Sequence, residues 1–167
     1  MGKGEPGGVM DAARVSAEWR TQAERDLEVA RLLHDQGYFE WAAYAAQQAA
    51  EKAIKSARHA LAIDTHENSR QSHDLVELSS SLLTACPNLF EPLEKGRLAE
   101  LRQHEADARY PGVRRRTYQS PCRAYDESQA SRGLATAEIV VDRCLGLTRE
   151  LEGFWRSRGS FGEPSEP

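Results

Sequence analysis

Residues Tyr38 to Lys55 limit what this chain can fold into more than any other stretch. They mix alanines with Phe39, Trp41 and Tyr44 and contain neither Gly nor Pro. Such a run has high helix propensity, and its small side chains let neighbouring helices approach closely. Trp41, Ala45, Ala49 and Ala53 form an apolar stripe with Ile54 beside it, while Gln48, Lys52 and Lys55 recur at i, i+4 and i+7 on a neighbouring stripe. The expectation is a core helix whose Gln/Lys face meets solvent or a ligand.

The flanking segments supply its partners. Val15, Trp19, Ala23, Leu27, Ala30 and Leu33 recur at three- and four-residue steps from Asp11 to Gln36, which predicts a first helix. Gly37 follows where a helix end favours positive φ, so the first two helices should form an antiparallel hairpin, with Trp19, Leu27, Trp41 and the alanines on the facing stripes. Asp64 to Ser72 is polar and predicts a loop, after which Ser72 can cap a short helix carrying Leu75, Leu78, Leu82 and Leu83 and ended by Pro87. A fourth helix is expected from about Asn88 to Ala106, with Leu89, Leu93, Arg97 and Leu101 in nearly one row and Gly96 weakening its middle. Asp126 and Gln129 have capping-box spacing ahead of a last helix carrying Ala130, Leu134, Ala137, Val141 and Leu145. No 20- to 50-residue repeat is present. The expected fold is all-α, an up-and-down helical bundle of about five helices.

A chain of 167 residues suits one domain. Residues 1–10 are Gly-rich and should be a flexible leader, residues 11–150 the helical domain, and residues 151–167, where Gly, Ser, Pro and Glu take over, a mobile tail. The net charge of −4 argues against coating nucleic acid by bulk electrostatics, although a local basic patch is compatible with it. Cys86, Cys122 and Cys144 are odd in number and lack a CxxC pair, which suggests reduced thiols. His34, His59 and His66 have no metal-ligand spacing. No metal and no cofactor are expected. With no apolar run near the roughly 20 residues of a membrane span, a soluble cytoplasmic protein is expected.

The run Gln47-Gln48-Ala49-Ala50-Glu51-Lys52-Ala53-Ile54-Lys55, followed by Ser72-His73-Asp74-Leu75, resembles the signature of the HEPN domain family (higher eukaryotes and prokaryotes nucleotide-binding). The preceding Trp19, Gln22–Leu27 and Ala30 helix, ending in Gly37-Tyr38, and the later Arg109-Tyr110-Pro111 agree with it in the family's order, over roughly residues 16 to 148. The resemblance implies the helical bundle and homodimerisation. It also implies one of several activities, because the family includes metal-independent ribonucleases, nucleotide binders and domains without catalysis. Gln48, His73 and Asp74 match the family's motif. At a helix start, Asp74 also suits the macrodipole and His73 can donate to a carbonyl, so a structural role is expected of both.

Two groups of residues are candidates for chemistry. The catalytic members of the family carry an arginine separated from a histidine by four to six residues, and Arg97 and His104 have that spacing, on one helical face about 10.5 Å apart along the axis. His104 would act as general acid or base and Arg97 would stabilise the phosphorane, without metal. Leu98 stands where a polar residue is usual, and with 18 arginines in the chain such a spacing arises by chance roughly once or twice. The second group is Arg109, Arg114, Arg115, Arg116 and Arg123, interleaved with Tyr110 and Tyr118 and without one acid between them. Such a loop suits phosphates and stacked bases, and it equally suits ion pairs with adjacent helices.

Candidate ligand contacts are therefore Arg109, Tyr110, Arg114, Arg115, Arg116, Lys52 and Lys55. The leading expectation is a nucleotide- or RNA-binding module, acting with a separate nucleotidyltransferase in a toxin–antitoxin pair. The alternatives are a metal-independent endoribonuclease using Arg97 and His104, and a non-catalytic protein-interaction domain.

Overall fold

The computed structural model describes residues 6–63, 72–112 and 118–157, with side chains from Ala12 onward apart from residues 155 and 156. Helices α1 (Pro6–Asp35), α2 (Phe39–Ala60), α3 (Leu75–Ala85), α4 (Arg97–Asp107), α5 (Pro121–Ala124) and α6 (Glu127–Ser157) make an all-α bundle, and no strand occurs among the described residues. The first helix starts at Pro6, ahead of the expected Asp11, and the last continues through Ser157 into the segment expected to be tail.

The α1–α2 hairpin closes as the sequence predicts. Gly37 has φ +78°. Its N–H donates to the His34 carbonyl at 3.0 Å and the Tyr38 N–H to the Leu33 carbonyl at 2.9 Å, the paired bonds of a Schellman turn. Farther along the hairpin, Ser16 Oγ donates to the Ser56 carbonyl and Ser56 Oγ to the Ser16 carbonyl, at 2.9 and 2.8 Å.

Helix α2 is the centre of the bundle, with α1 and α6 packed along it and α3, α4 and α5 against its remaining surface. Its alanines explain why: Ala42, Ala46, Ala49, Ala50, Ala53 and Ala57 are fully buried. Larger side chains arrive from the surrounding helices, among them Leu75, Leu78 and Leu82 from α3, Leu101 from α4, and Val140, Val141 and Leu145 from α6. Burying a Leu or Val side chain contributes about 1.5–3 kcal/mol, so the alanine helix supplies close approach and its neighbours supply most of the apolar area.

Four expectations are corrected. The Gln/Lys stripe is not a solvated face, because Lys55 is buried. Trp41 does not join the facing seam; it is 46% exposed. Asp74, not Ser72, caps α3: Asp74 Oδ1 accepts from the N–H groups of Val76 at 2.9 Å and Glu77 at 3.3 Å, while Ser72 Oγ accepts from the Asp74 N–H. Finally, the fourth helix does not run through Gly96. That residue takes φ +92° and becomes the N-cap of α4, so residues 87–96 are turns and irregular backbone, and Leu89 and Leu93 reach the core from outside any helix. The expected loop from Asp64 to Ser72 lies, except for Ser72, outside the described residues.

Candidate functional site

Two polar centres lie along α2. The first is built from the family-like run itself. Within α2, Gln47 Nε2 donates to Glu51 Oε2 at 3.2 Å and Lys55 Nζ to Glu51 Oε1 at 2.9 Å, a pair of i,i+4 links on one face. His73 Nδ1 lies 2.9 Å from the same Glu51 oxygen. The Lys55 ammonium also sits 5.1 Å from the Trp19 ring centroid, as a cation–π contact. Glu51 and Lys55 are almost completely shielded, so each neutralises the other where neither could stand alone. Beside them, Gln48 donates to Gln47 and accepts from Lys52, whose ammonium pairs with Asp26 of α1.

Asp74 extends this centre to α4. Its Oδ2 accepts from Arg102 Nη1 at 2.7 Å. Burial works to raise the Asp74 pKa, but the N–H groups of Glu77 and Val76 and the Arg102 guanidinium outweigh it and hold the carboxyl below the ordinary aspartate value. The motif residues Gln48, His73 and Asp74 are thus all tied into the scaffold.

The second centre lies where the N-terminal turns of α2, the C-terminal end of α4 and the end of α5 meet, around Ala43, Ala108 and Tyr125 with Phe39 and Tyr44. His104 belongs here, and it is 5% exposed. Its Nδ1 lies 2.8 Å from the Tyr125 hydroxyl, with the rings edge-on at 5.5 Å. Its other side faces α6 at Gly133, where an added Cβ would come within 3.1 Å of Nε2. Arg97, two turns earlier on the uninterrupted α4, is partly exposed and pairs with Glu94 and Glu100. Burial works to raise Glu100, but the Arg132 and Arg97 guanidinium groups hold it below the usual carboxylate value. Arg97 and His104 thus share α4, the arginine partly exposed and the imidazole buried. Proton transfer to a substrate would require the imidazole to leave its seat.

Arg109 completes this centre. Its Nε donates to the Glu105 carbonyl at 2.6 Å and its Nη2 to the Glu105 carboxylate. The guanidinium lies 5.0 Å from the ring centroids of both Tyr44 and Tyr110. Trp41 meets Tyr44 edge-on, 6.2 Å between centroids. The chain then turns at Gly112, φ +62°, where a Cβ would fall 2.4 Å from the Tyr118 backbone, and Tyr118 itself has φ +46°. Arg114, Arg115 and Arg116 lie outside the described residues. Tyr110 and Tyr118 on either side of them are 53% and 86% exposed.

Of the expected contact residues, Arg109 and Tyr110 come together, while Lys52 and Lys55 lie in the first centre, each on an internal carboxylate. Sequence reasoning gave no role to Tyr44, Tyr125 or Gly133. A glycine inside a long helical pattern was the available signal for Gly133; the contact of Tyr125 with a histidine 21 residues away leaves no local pattern.

The family's sequence profile, described as HEPN domain, matches residues 16–147. This chain belongs to the HEPN domain family. Among solved structures it is similar to ST0689, an archaeal HEPN homologue, at 28% identity and a TM-score of 0.61, over 80% of this chain and 97% of that one. TT1696 from Thermus thermophilus shares the fold at 22% identity and a TM-score of 0.61, over 79% of this chain and 97% of that one. No curated protein matches. Among the described residues of this HEPN chain, no helix is long and apolar enough to cross a membrane.

Proposed function

We propose that this HEPN domain binds RNA or a nucleotide at the second centre, through Arg109, Tyr110 and the basic segment containing Arg114, Arg115 and Arg116. The observation that carries the reading is Arg109 held between Tyr44 and Tyr110 at the root of a segment with no acid between Arg109 and Arg123. A guanidinium fixed in position by aromatic faces and by Glu105 loses little entropy when a phosphate takes over from the Glu105 carboxylate, and exposed tyrosines accept bases by stacking. Lys52 and Lys55 are placed outside this site because they belong to the first centre, Lys55 buried against Glu51 and Lys52 held by Asp26 of α1.

The test is fluorescence anisotropy of labelled RNA and of labelled nucleotide with the wild type and with the Arg114→Ala/Arg115→Ala double variant. Binding that weakens in the variant supports the site. A steep salt dependence identifies RNA, and a shallow one a nucleotide. Equal binding by the two proteins rejects the site. The proposal carries with it, from the family resemblance, a homodimer and a separate nucleotidyltransferase partner in a toxin–antitoxin pair. Sedimentation and co-purification with that enzyme check these.

A second reading, metal-independent ribonuclease, has one observation in its favour: Arg97 and His104 share the uninterrupted α4. Against it stands the His104 seat on Tyr125. RNA cleavage in EDTA by the wild type and not by His104→Ala would establish that activity.

A further inference from the structure

We propose that Trp41, linked through Tyr44 to Arg109, extends the ligand face into a stacking track for consecutive bases of single-stranded RNA, a placement that rests on the RNA reading of Arg109 and Tyr110. Trp41 is a large aromatic side chain turned outward from a helix whose adjacent Ala42 and Ala43 are fully buried. Its contact with Tyr44, the contact of Tyr44 with Arg109 and that of Arg109 with Tyr110 make a continuous aromatic and guanidinium row across α2 and the end of α4. The row is held in place before any ligand arrives: Tyr44 packs with Ala43, Ala108 and Tyr125, and Arg109 is bonded to Glu105, which it also neutralises.

The chemistry favours a strand over a single nucleotide or a protein. One base covers one ring, whereas Trp41 and Tyr110 are two exposed rings at the two ends of one row. A wholly apolar partner surface would bury the Arg109–Glu105 pair without offering the guanidinium a contact of its own, whereas a nucleic-acid strand brings phosphates between its bases. Aromatic platforms tolerate any base because every base has a π-face, so the track should read length more than sequence.

The experiment is anisotropy of an end-labelled oligouridylate with the full chain as wild type, Trp41→Leu and Trp41→Phe, with sedimentation velocity and circular dichroism on each. The expected result is about tenfold weaker binding for Trp41→Leu, recovery of most affinity in Trp41→Phe, and an unchanged slope of log Kd against log salt, since no phosphate contact is lost. Equal affinity of Trp41→Leu and wild type overturns the track and leaves the Arg109 site standing. Absence of oligouridylate binding by the wild type overturns the RNA reading and the track together. If Trp41→Leu instead dissociates an oligomer at unchanged RNA affinity, the aromatic row is a protein contact and the track is overturned.

Discussion

The two polar centres on α2 use similar residue types in opposite ways. Around Glu51, charge is inside: Lys55 sits one helical turn away on the same element, and the pair is closed off by Gln47, His73 and Trp19. Around Arg109, the charge is partly exposed, paired with Glu105 and flanked by the rings of Tyr44 and Tyr110, the second of them exposed. A buried pair holds helices together because breaking it strands a charge. A partly exposed arginine between rings, paired within its own helical turn with Glu105, contributes less to folding and can exchange that carboxylate for a ligand's anion. The most family-like run in the chain thus serves its architecture, while the residues proposed to meet a ligand, Arg109 and Tyr110, stand just past α4, beside Tyr44 in the N-terminal turns of α2.

The sharpest way to break this contrast is Glu51→Ala, which leaves the Lys55 ammonium buried without its counter-charge. It should lower unfolding stability by about 3–5 kcal/mol in urea titrations, and Glu51→Leu combined with Lys55→Met should recover most of that loss. A loss below about 1 kcal/mol would remove the structural role given to this centre.

The seat of His104 is tested by a double-mutant cycle. Gly133→Ala gains about 1 kcal/mol of helix propensity but presses a Cβ against His104 Nε2. The substitution should therefore be more favourable by about 1–2 kcal/mol in a His104→Ala background than in the wild type. Strict additivity would show that the imidazole moves aside freely.

A smaller effect belongs to Asp74→Ala, about 1 kcal/mol from the lost cap of α3. Because the folded-state pKa of Asp74 is depressed, its ionised form contributes stability that is present above the ordinary aspartate pKa and is lost as pH falls through the folded value. The penalty of the variant should accordingly be full at neutral pH and shrink in acid below about pH 4; a constant penalty across that range contradicts the assignment.

Smallest for folding is Arg109→Gln. Two partly exposed cation–π contacts and an i,i+4 ion pair with Glu105 contribute about 0.5–1 kcal/mol each at most, so thermal unfolding should move little, while on the proposed reading RNA affinity falls. A large loss of stability with intact binding would reverse the roles of the two centres.

Much of this architecture is legible in local sequence. The glycine at 37 announces the Schellman turn, and the Asp126/Gln129 pair forms the reciprocal bonds of a capping box, at 2.8 and 3.1 Å. What the sequence hides has particular causes. Each four-residue step along a helix advances about 40° beyond a full turn, so a stripe written from Trp41 through Ala45 to Ala49 drifts around the cylinder. Trp41 therefore falls outside the seam that Ala45 and Ala49 fill. Lys55 looks solvated in one dimension because lysine seldom buries, and only the carboxylate at Glu51 makes burial tolerable. Gly96 carries its signal as a weak helix residue, but its left-handed φ turns that weakness into the start of α4. The seat of His104 depends on Tyr125 and Gly133, contributed by later segments whose contact with α4 no periodicity records.

The most direct test of the division between the centres is a salt-resolved anisotropy titration of single-stranded RNA with the wild type, Arg109→Gln and Lys52→Gln. The account predicts weaker binding and a shallower salt slope for Arg109→Gln, and wild-type behaviour for Lys52→Gln, whose lysine is held by Asp26. Loss of affinity in Lys52→Gln with none in Arg109→Gln would contradict it and move the ligand to the family-like face of α2.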